Sequence, residues 1–227
     1  MAGRSQGSLA VDTRNLNLWR HRLGHVPETV WEQIDLETLV LADNDLAEVS
    51  AKIGRLKRLR MLDLGHNVLS SLPESLGDLD SLSDFLYLHD NELTSLPSSL
   101  GGLKRLRYLN ISENAFQSLP KCICGMHSLI ELRASDNPLA SLPASIEQLT
   151  ALRELHLRNT QLEHLPDSIA SLLNLRQIDL RGTPLQCLPP ALTTLPRLEK
   201  LDLRWVTKLE FPSWLAHLEA RGCVVYL

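Results

Sequence analysis

A unit of 23 residues recurs nine times along this chain, with the pattern LxxLxLxxNxLxxLPxxIxxL. Its ninth position is the clearest marker, because it holds asparagine in five consecutive copies. The residues at this position are His21, Asn44, Asn67, Asn91, Asn114, Asn137, Thr160, Thr183 and Val206. The step between them is 23 residues except from Asn67 to Asn91, where it is 24. A unit this short cannot bury its own leucines, so the copies must stack into one continuous aliphatic core.

The LxL part of each unit predicts a short strand. The two apolar residues point into the core and their neighbours point to the opposite face, since side chains alternate along a strand. The apolar pairs are Leu16/Leu18, Leu39/Leu41, Leu62/Leu64, Leu86/Leu88, Leu109/Ile111, Leu132/Ala134, Leu155/Leu157, Ile178/Leu180 and Leu201/Leu203. Successive strands then form a parallel sheet, and residues 223–227 predict a tenth, incomplete strand.

The asparagines predict a ladder of side chains that bond the backbone of the tight turn after each strand. Losing one asparagine is expected to cost about 1–3 kcal/mol. Thr160 and Thr183 can replace part of this bonding, whereas Val206 cannot. The ladder is therefore expected to weaken toward the C-terminus.

A proline in most copies predicts where the chain returns along the convex side. Proline suits the start of a short helical turn, and the return segments are too short for long helices, so we expect 3₁₀ or brief α-helical turns. Ser50 takes the place of proline in one copy. In the 24-residue copy the extra residue must lie between Leu82 and Leu86. We interpret it as a β-bulge near Phe85, with a tolerated insertion of no role as the alternative.

Composition narrows the classes of function. The 227 residues carry a net charge of -4 and a pI of about 6.1, which argues against a nucleic-acid or membrane-surface binder. There is no apolar run of about 18 residues to predict a transmembrane helix. The first residues lack a secretory signal, and the four cysteines do not cluster at the ends. We therefore expect free thiols and a cytoplasmic location, in the producing cell or in a host cell into which the protein is delivered.

The repeat resembles the leucine-rich repeats of the 23-residue LPxxI type, as in the copy "LRYLNISENAFQSLPKCICGMHSL". Such repeats occur in intracellular Ras-group proteins, plant immune receptors and bacterial effectors. The resemblance implies an α/β repeat fold, a right-handed, curved solenoid with a parallel sheet on its concave side and short 3₁₀ or α turns on its convex side. It also implies a protein partner on the concave sheet. We divide the chain into an N-terminal tail (1–12), nine repeats (13–220) and a terminal strand (221–227).

An aromatic cluster is predicted on the concave face. The outward residues of three adjacent strands include half of the phenyl and phenol side chains of the chain. The predicted anchor consists of Met61, Phe85, Tyr87, His89 and Tyr108. An exposed patch of this kind marks a binding site. The alternative is that the rings only shield one another on the sheet surface.

A row of arginines follows on the same face. It consists of Arg158, Arg181 and Arg204, which recur at intervals of 23 residues, and Trp205 follows the last one. Arg133 and His156 lie between the two apolar residues of their LxL pairs and point to the same face. Arginine beside tryptophan is typical of protein interfaces, and the row would suit an acidic segment of a partner. The alternative is a self-paired surface, because Asp179 and Asp202 can form exposed ion pairs with the arginines that follow them.

Other chemistry is not predicted. An acidic column (Asp43, Asp90, Glu113 and Asp136) suits the turn that follows each strand. Asp43, His66 and Asp90 lack the pattern of a metal site, and we predict no metal or cofactor. The motifs of phosphate loops, zinc proteases and serine hydrolases do not occur, so the protein is expected to be non-enzymatic. Cys122 and Cys124 flank Ile123 and are expected on the convex surface.

The sequence therefore predicts a monomeric protein-interaction module, with no nucleic-acid or membrane partner. Two alternatives stay open. The first is a delivered bacterial effector, an immune-type recognition module, or the substrate-recognition part of a larger signalling or ubiquitin-ligase assembly. The second is a structural array that self-associates through open sheet edges near Leu16 and near Val224–Leu227.

Overall fold

The computed structural model describes residues 14–227, and the predicted tail at 1–12 lies outside the described residues. These residues form a single parallel sheet in which each strand pairs with the next one along the chain. The strands are β1 (Asn15–Asn17), β2 (Thr38–Val40), β3 (Met61–Asp63), β4 (Phe85–Tyr87), β5 (Tyr108–Asn110), β6 (Glu131–Arg133), β7 (Glu154–His156), β8 (Gln177–Asp179), β9 (Lys200–Asp202) and β10 (Val224–Tyr226). Strand β10 lies within the segment where a tenth strand was predicted.

The core lies directly behind the sheet. The middle residue of each strand from β2 to β9 is buried, and so is the apolar residue two positions later. Core residues such as Leu62 and Leu64 contribute aliphatic side chains, and Trp31 and Phe116 are the largest buried ones. Period-two alternation therefore places one leucine pair per repeat in a continuous core and leaves the flanking side chains on the concave face.

The asparagine ladder forms as predicted. Asn137 Nδ2 donates to the carbonyl oxygens of Ala134 (3.2 Å) and Ser135 (3.1 Å) in its own repeat and of Ile111 (2.9 Å) in the preceding one. Its Oδ1 accepts from the backbone N–H of Phe116 at 3.1 Å. Each asparagine of this kind satisfies backbone groups of two repeats at once, so it joins neighbouring turns as well as stabilising its own.

The return segments on the convex side are 3₁₀ helices, as expected. They span Glu28–Glu32, Ala51–Arg55, Glu74–Asp78, Ser98–Gly102, Lys121–Gly125, Ala144–Gln148, Asp167–Ser171 and Pro190–Thr194. Proline precedes each of them except the second, where the Ser50 hydroxyl accepts from the N–H of Lys52 at 3.3 Å. A short α-helix, α1 (Leu215–Ala220), precedes β10. No helix within residues 14–227 has the length and apolar character needed to cross a membrane.

One prediction for this side is wrong. Cys124 was expected on the convex surface, but its exposed fraction is 2% and Cys122 is half-buried. The 3₁₀ helix from Lys121 to Gly125 turns Cys124 inward together with Ile123. Burial raises the pKa of the Cys124 thiol, which keeps it protonated and unreactive at neutral pH.

The acidic column belongs to the turn, as predicted. Asp43, Asp90, Glu113 and Asp136 all have positive φ angles, between 52° and 59°. Aspartate tolerates this left-handed conformation better than most residues do, because its short side chain bonds locally. Gly182 holds the same place with φ of 66°, where the absence of a Cβ removes the steric cost.

The extra residue of the 24-residue copy lies between Leu82 and Leu86, as predicted, at the entrance to strand β4. Phe85–Tyr87 itself pairs residue by residue with Met61–Asp63 on one side and with Tyr108–Asn110 on the other. The N–H groups of Ser83 and Asp84 both donate to the carbonyl of Arg60, at 3.3 and 3.0 Å. The insertion is therefore accommodated in the turn, which leaves the aromatic residues of β4 in register.

Candidate protein-binding surface

Three aromatic rings meet on the concave face across strands β4 and β5. The Phe85 and Tyr87 rings are stacked with centroids 5.8 Å apart, and Tyr108 lies 5.5 Å from Phe85 and 5.1 Å from Tyr87. Phe85 remains 42% exposed, and both tyrosines are partly exposed. Met61 is the strand partner of Phe85, so it borders the rings on β3. We call Met61, Phe85, Tyr87, His89 and Tyr108 the aromatic patch.

The tyrosine hydroxyls of the aromatic patch stay protonated. Burial raises the pKa of Tyr108 to about 12, and burial followed by the charge of Asp63 raises the pKa of Tyr87. Each phenol can therefore donate a hydrogen bond at any physiological pH. The patch offers a partner both apolar ring surface and fixed polar groups, a combination that favours protein interfaces.

An imidazole pair borders the aromatic patch. His89 Nε2 lies 3.2 Å from His66 Nε2, and His66 Nδ1 lies 2.6 Å from Asp90 Oδ2. The His89 ring packs directly over Gly65, where any side chain would collide with it. Burial, followed by the charge of His66, lowers the pKa of His89. The pair therefore presents a neutral His89 toward Tyr87, whose ring centroid is 6.0 Å away.

The arginine row is neutralised by buried aspartates. Arg181 Nε and Nη2 donate to the two carboxylate oxygens of Asp179 at 2.9 and 2.6 Å. Arg204 bonds Asp202 in the same way at 2.9 and 2.7 Å. The pairs were predicted as exposed ones, but Asp179 and Asp202 are only 4% and 1% exposed. Neighbouring strands and the arginines themselves cover the two carboxylates.

The protonation of Asp179 follows from this arrangement. Burial raises its pKa, but the His156 ring nitrogen 4.0 Å away and the hydrogen bonds from Arg181 outweigh burial and hold the pKa of Asp179 well below its usual range. The aspartate is therefore ionised and fully committed to its neighbours. The structure favours the alternative in which this part of the face pairs with itself.

The other arginines of the face also have partners. Arg158 Nη2 donates to Asp136 Oδ2 at 2.9 Å, across one repeat, and its buried Nε has no acceptor among the described residues. Arg133 Nε donates to Glu131 Oε1 at 2.6 Å. The Arg204 guanidinium lies 5.7 Å from the Trp205 ring centroid. Arg158 is thus the least satisfied member of the arginine row, as predicted. Its partner, Asp136, belongs to the acidic column and was not predicted.

The sequence pattern did not reveal one cluster of possible metal ligands. Glu131, Glu154 and His156 place one ligand atom each within 4.8 Å of one another. His156 Nε2 lies 3.3 Å from Glu154 Oε2 and 3.7 Å from Glu131 Oε1, and Arg133 already bonds Glu131. Hydrogen bonds of Glu154 with His156 and of Glu131 with Arg133 account for the arrangement. Glu131 and Glu154 are register partners at the first positions of β6 and β7, and His156 lies two residues after Glu154.

The chain belongs to the leucine-rich-repeat family. The family model "Leucine rich repeat" matches residues 34–93, 84–139 and 150–209, which is most of the chain. A solved leucine-rich-repeat protein of Leptospira interrogans is similar over 95% of this chain, with 27% identity and a TM-score of 0.72. This chain spans 66% of the length of that protein. No curated protein matches significantly.

Leucine-rich repeats are generally protein-interaction modules, and the family typically serves as a binding scaffold without catalytic activity. The structure brings the members of the aromatic patch together on one surface. Arg133 borders the patch, with its guanidinium 6.0 Å from the Tyr108 ring centroid, and lines a hollow of the concave face together with the arginine row.

Proposed function

We propose that this protein binds another protein on the concave face and that the aromatic patch is the apolar anchor of the interface. The observation that carries the proposal is the cluster of Phe85, Tyr87 and Tyr108 on adjacent strands, in mutual ring contact and partly exposed on the concave sheet. Aromatic side chains held rigidly by packing lose little entropy on binding, so they contribute most to interface affinity.

A hollow next to the aromatic patch supports the proposal. Its volume is about 260 Å³, and its lining includes the rings of Phe85 and Tyr108 together with Ile130. An apolar side chain of a partner can enter this space, and the tyrosine hydroxyls can bond its backbone. Arg158 is the second part of the proposed interface, because its pairing is the least complete of the arginine row and it can contact an acidic segment. Arg181 and Arg204 are already held by Asp179 and Asp202.

The alternatives share this surface. A delivered effector, an immune-type recognition module and the recognition part of a larger ligase assembly would each use the concave face to hold a protein. We therefore test the feature that they have in common, which is the location of the interface.

Site-specific photocrosslinking in native lysate tests the location. A benzoylphenylalanine at position 85 should crosslink to a discrete partner, whereas the same group at the exposed Leu173 should not. Tyr87→Ala with Tyr108→Ala should reduce capture of that partner at least about tenfold, since interface anchors contribute 2 kcal/mol or more. Arg158→Glu should reduce it less.

Two controls complete the experiment. Leu173→Ala should leave capture unchanged, and urea denaturation should show that the variants remain folded. Capture that is unchanged in the tyrosine double variant and in Arg158→Glu would overturn the proposal.

Self-association is a second candidate, favoured by the exposed apolar residues at the far end of the sheet. Val224, Tyr226 and Leu227 are 42–64% exposed, and one edge of β10 has no partner strand within residues 14–227. Such an edge can pair with another chain. Light scattering over a range of protein concentrations would detect the dimer, and Val225→Pro should abolish it because proline removes a strand donor.

A further inference from the structure

A second column of arginines lies on the rim where the chain enters each strand. The residue immediately before each strand from β1 to β9 belongs to it: Arg14, Glu37, Arg60, Asp84, Arg107, Ile130, Arg153, Arg176 and Glu199. Most arginines of this column pair with an acid one repeat further on. Arg60 Nη2 lies 3.1 Å from Asp84 Oδ2, and Arg176 Nη1 lies 3.1 Å from Glu199 Oε1.

The pairing fails in the middle of the rim. Ile130 occupies the place where a carboxylate would pair with Arg107, and Arg153 is followed by Arg176, which is committed to Glu199. Arg105 lies beside them at the end of the preceding turn. The side chains of Arg105, Arg107 and Arg153 are exposed and make no hydrogen bond or ion pair with any other residue in 14–227. This contrasts with the concave row, in which each arginine has an aspartate partner.

The three arginines surround one hollow of about 480 Å³, which we call the rim hollow. Its lining also includes His127 and Ile130, and none of the lining residues is acidic. His127 Nδ1 faces the carbonyl oxygen of Gln148 at 3.2 Å, which leaves Nε2 available. The chain has a net charge of -4, whereas this hollow is lined by three guanidiniums that have no partner among the described residues, so it is locally positive.

The spacing suits one compact anion. Arg107 and Arg153 are two strands apart, so their backbones are separated by roughly 10 Å, and their long side chains can converge on a group between them. A guanidinium presents several donors in a planar fork that matches the oxygens of a phosphate. One arginine satisfies a carboxylate, whereas several arginines match the three terminal oxygens and double charge of a phosphomonoester.

We propose that the rim hollow binds a phosphomonoester carried by a segment of a partner protein. The continuity of the surface favours a protein over a long polyanion or a lipid surface. Arg107 and Ile130 line both the rim hollow and the hollow beside Phe85 and Tyr108. A phosphorylated segment can therefore place its phosphate at the rim and a neighbouring apolar side chain against the rings. The flanking rim is self-paired, and this leaves an extended polyanion no continuous positive track.

Two probes test the site: inorganic phosphate, and a labelled Phe-Gly-Ser-Gly peptide with and without phosphate on its serine. Phosphate should give saturable shifts of the Nε–Hε resonances of Arg105, Arg107 and Arg153 in NMR spectra. The phosphorylated peptide should bind at least about tenfold more tightly than the unmodified one in fluorescence anisotropy. Arg107→Gln with Arg153→Gln should remove both effects, and folding should be unaffected because these side chains make no hydrogen bond or ion pair within residues 14–227.

Arg60→Gln with Arg176→Gln is the matched control, since it removes two paired arginines of the same column. This control should retain phosphate binding. Absence of saturable shifts, or an equal loss in the control, would overturn the proposal. The proposal would also be overturned if the protein bound vesicles that contain a phosphoinositide but bound the phosphorylated and unmodified peptides equally well.

Phosphate binding at the rim hollow is a property beyond the proposed concave interface, and the two can be tested separately. Inorganic phosphate contacts the rim alone, so Tyr87→Ala with Tyr108→Ala should leave its binding unchanged. Phosphate binding that persists when the crosslinking experiment fails would retain the rim site and reject the aromatic anchor.

Discussion

At the scale of single residues, the ninth position of the repeat shows how one side chain sets the coupling between repeats. Asn137 bonds the backbone of its own turn and of the preceding repeat. Thr160 donates only to the carbonyl of Leu157 in its own turn, at 2.9 Å, and Thr183 does the same to Leu180 at 2.8 Å. The weakening of the ladder was predicted from side-chain chemistry, and the structure locates it in the bonds between repeats.

We predict that Asn137→Ala lowers the free energy of unfolding by about 1–3 kcal/mol, since buried backbone groups of two repeats lose their partners. Thr160→Ala should cost about 0.5–1.5 kcal/mol, because one hydrogen bond is lost. Urea denaturation followed by circular dichroism measures both. Equal losses for the two variants would contradict the role of the asparagine between repeats.

At the scale of elements, strands β7 to β9 form a polar sheet segment with buried charges. Asp202 accepts from Arg204 and also lies 3.7 Å from Arg181, so adjacent strands share one network. The fixed hydrogen bonds offset the desolvation of the carboxylates. This network makes the segment a rigid part of the concave face, because its charges are satisfied within the protein.

The network predicts loss of stability in acid. The pKa of Asp179 is lower in the folded protein than its ordinary value of 3.8, so the unfolded chain takes up protons first as the pH falls. The stabilisation by Asp179 is present above that ordinary value and declines below it. Asp179→Asn should lower stability at pH ~7 and reduce the decline below pH ~4.

Thermal unfolding at a series of pH values provides the measurement. Asp84→Asn, at an exposed ion pair of the rim, serves as the control and should change stability by about 0–1 kcal/mol. An acid decline of the same size in wild type and Asp179→Asn would show that the buried pair does not determine the pH dependence.

At the scale of the whole molecule, the stacked repeats make stability a sum of contacts between neighbours. Each inner repeat packs against two others, whereas the first and last repeats pack against one. The backbone bonds themselves are alike. Ile111 N–H donates to Arg133 at 2.8 Å in the middle of the sheet, and Leu18 and Leu203 donate to their neighbours at 2.9 and 2.8 Å near its ends.

Amide hydrogen exchange should therefore be slowest at the centre. We expect the N–H of Ile111 to exchange more slowly than those of Leu18 and Leu203, although the three hydrogen bonds have nearly equal lengths. Mass spectrometry or NMR measures this directly. Identical protection at the three sites would indicate a single cooperative unit in place of coupled repeats.

The sequence by itself determined the repeat, the strand register, the buried leucines and the asparagine ladder. These features depend on residue type and spacing inside one repeat, and the same pattern recurs in the other copies. The aromatic patch was predictable for the same reason, because register places Phe85, Tyr87 and Tyr108 on one face.

Only the tertiary structure decided which charges are available to a partner. Arg181 and Arg204 pair with the aspartates two residues before them, as the sequence predicted, but only the structure shows that Asp179 and Asp202 are buried. Arg158 pairs with Asp136 of the preceding repeat, which the sequence did not predict. Arg107 and Arg153, which sequence analysis did not single out, have no ion-pair partner within residues 14–227, because the residues one repeat further on are Ile130 and the already paired Arg176.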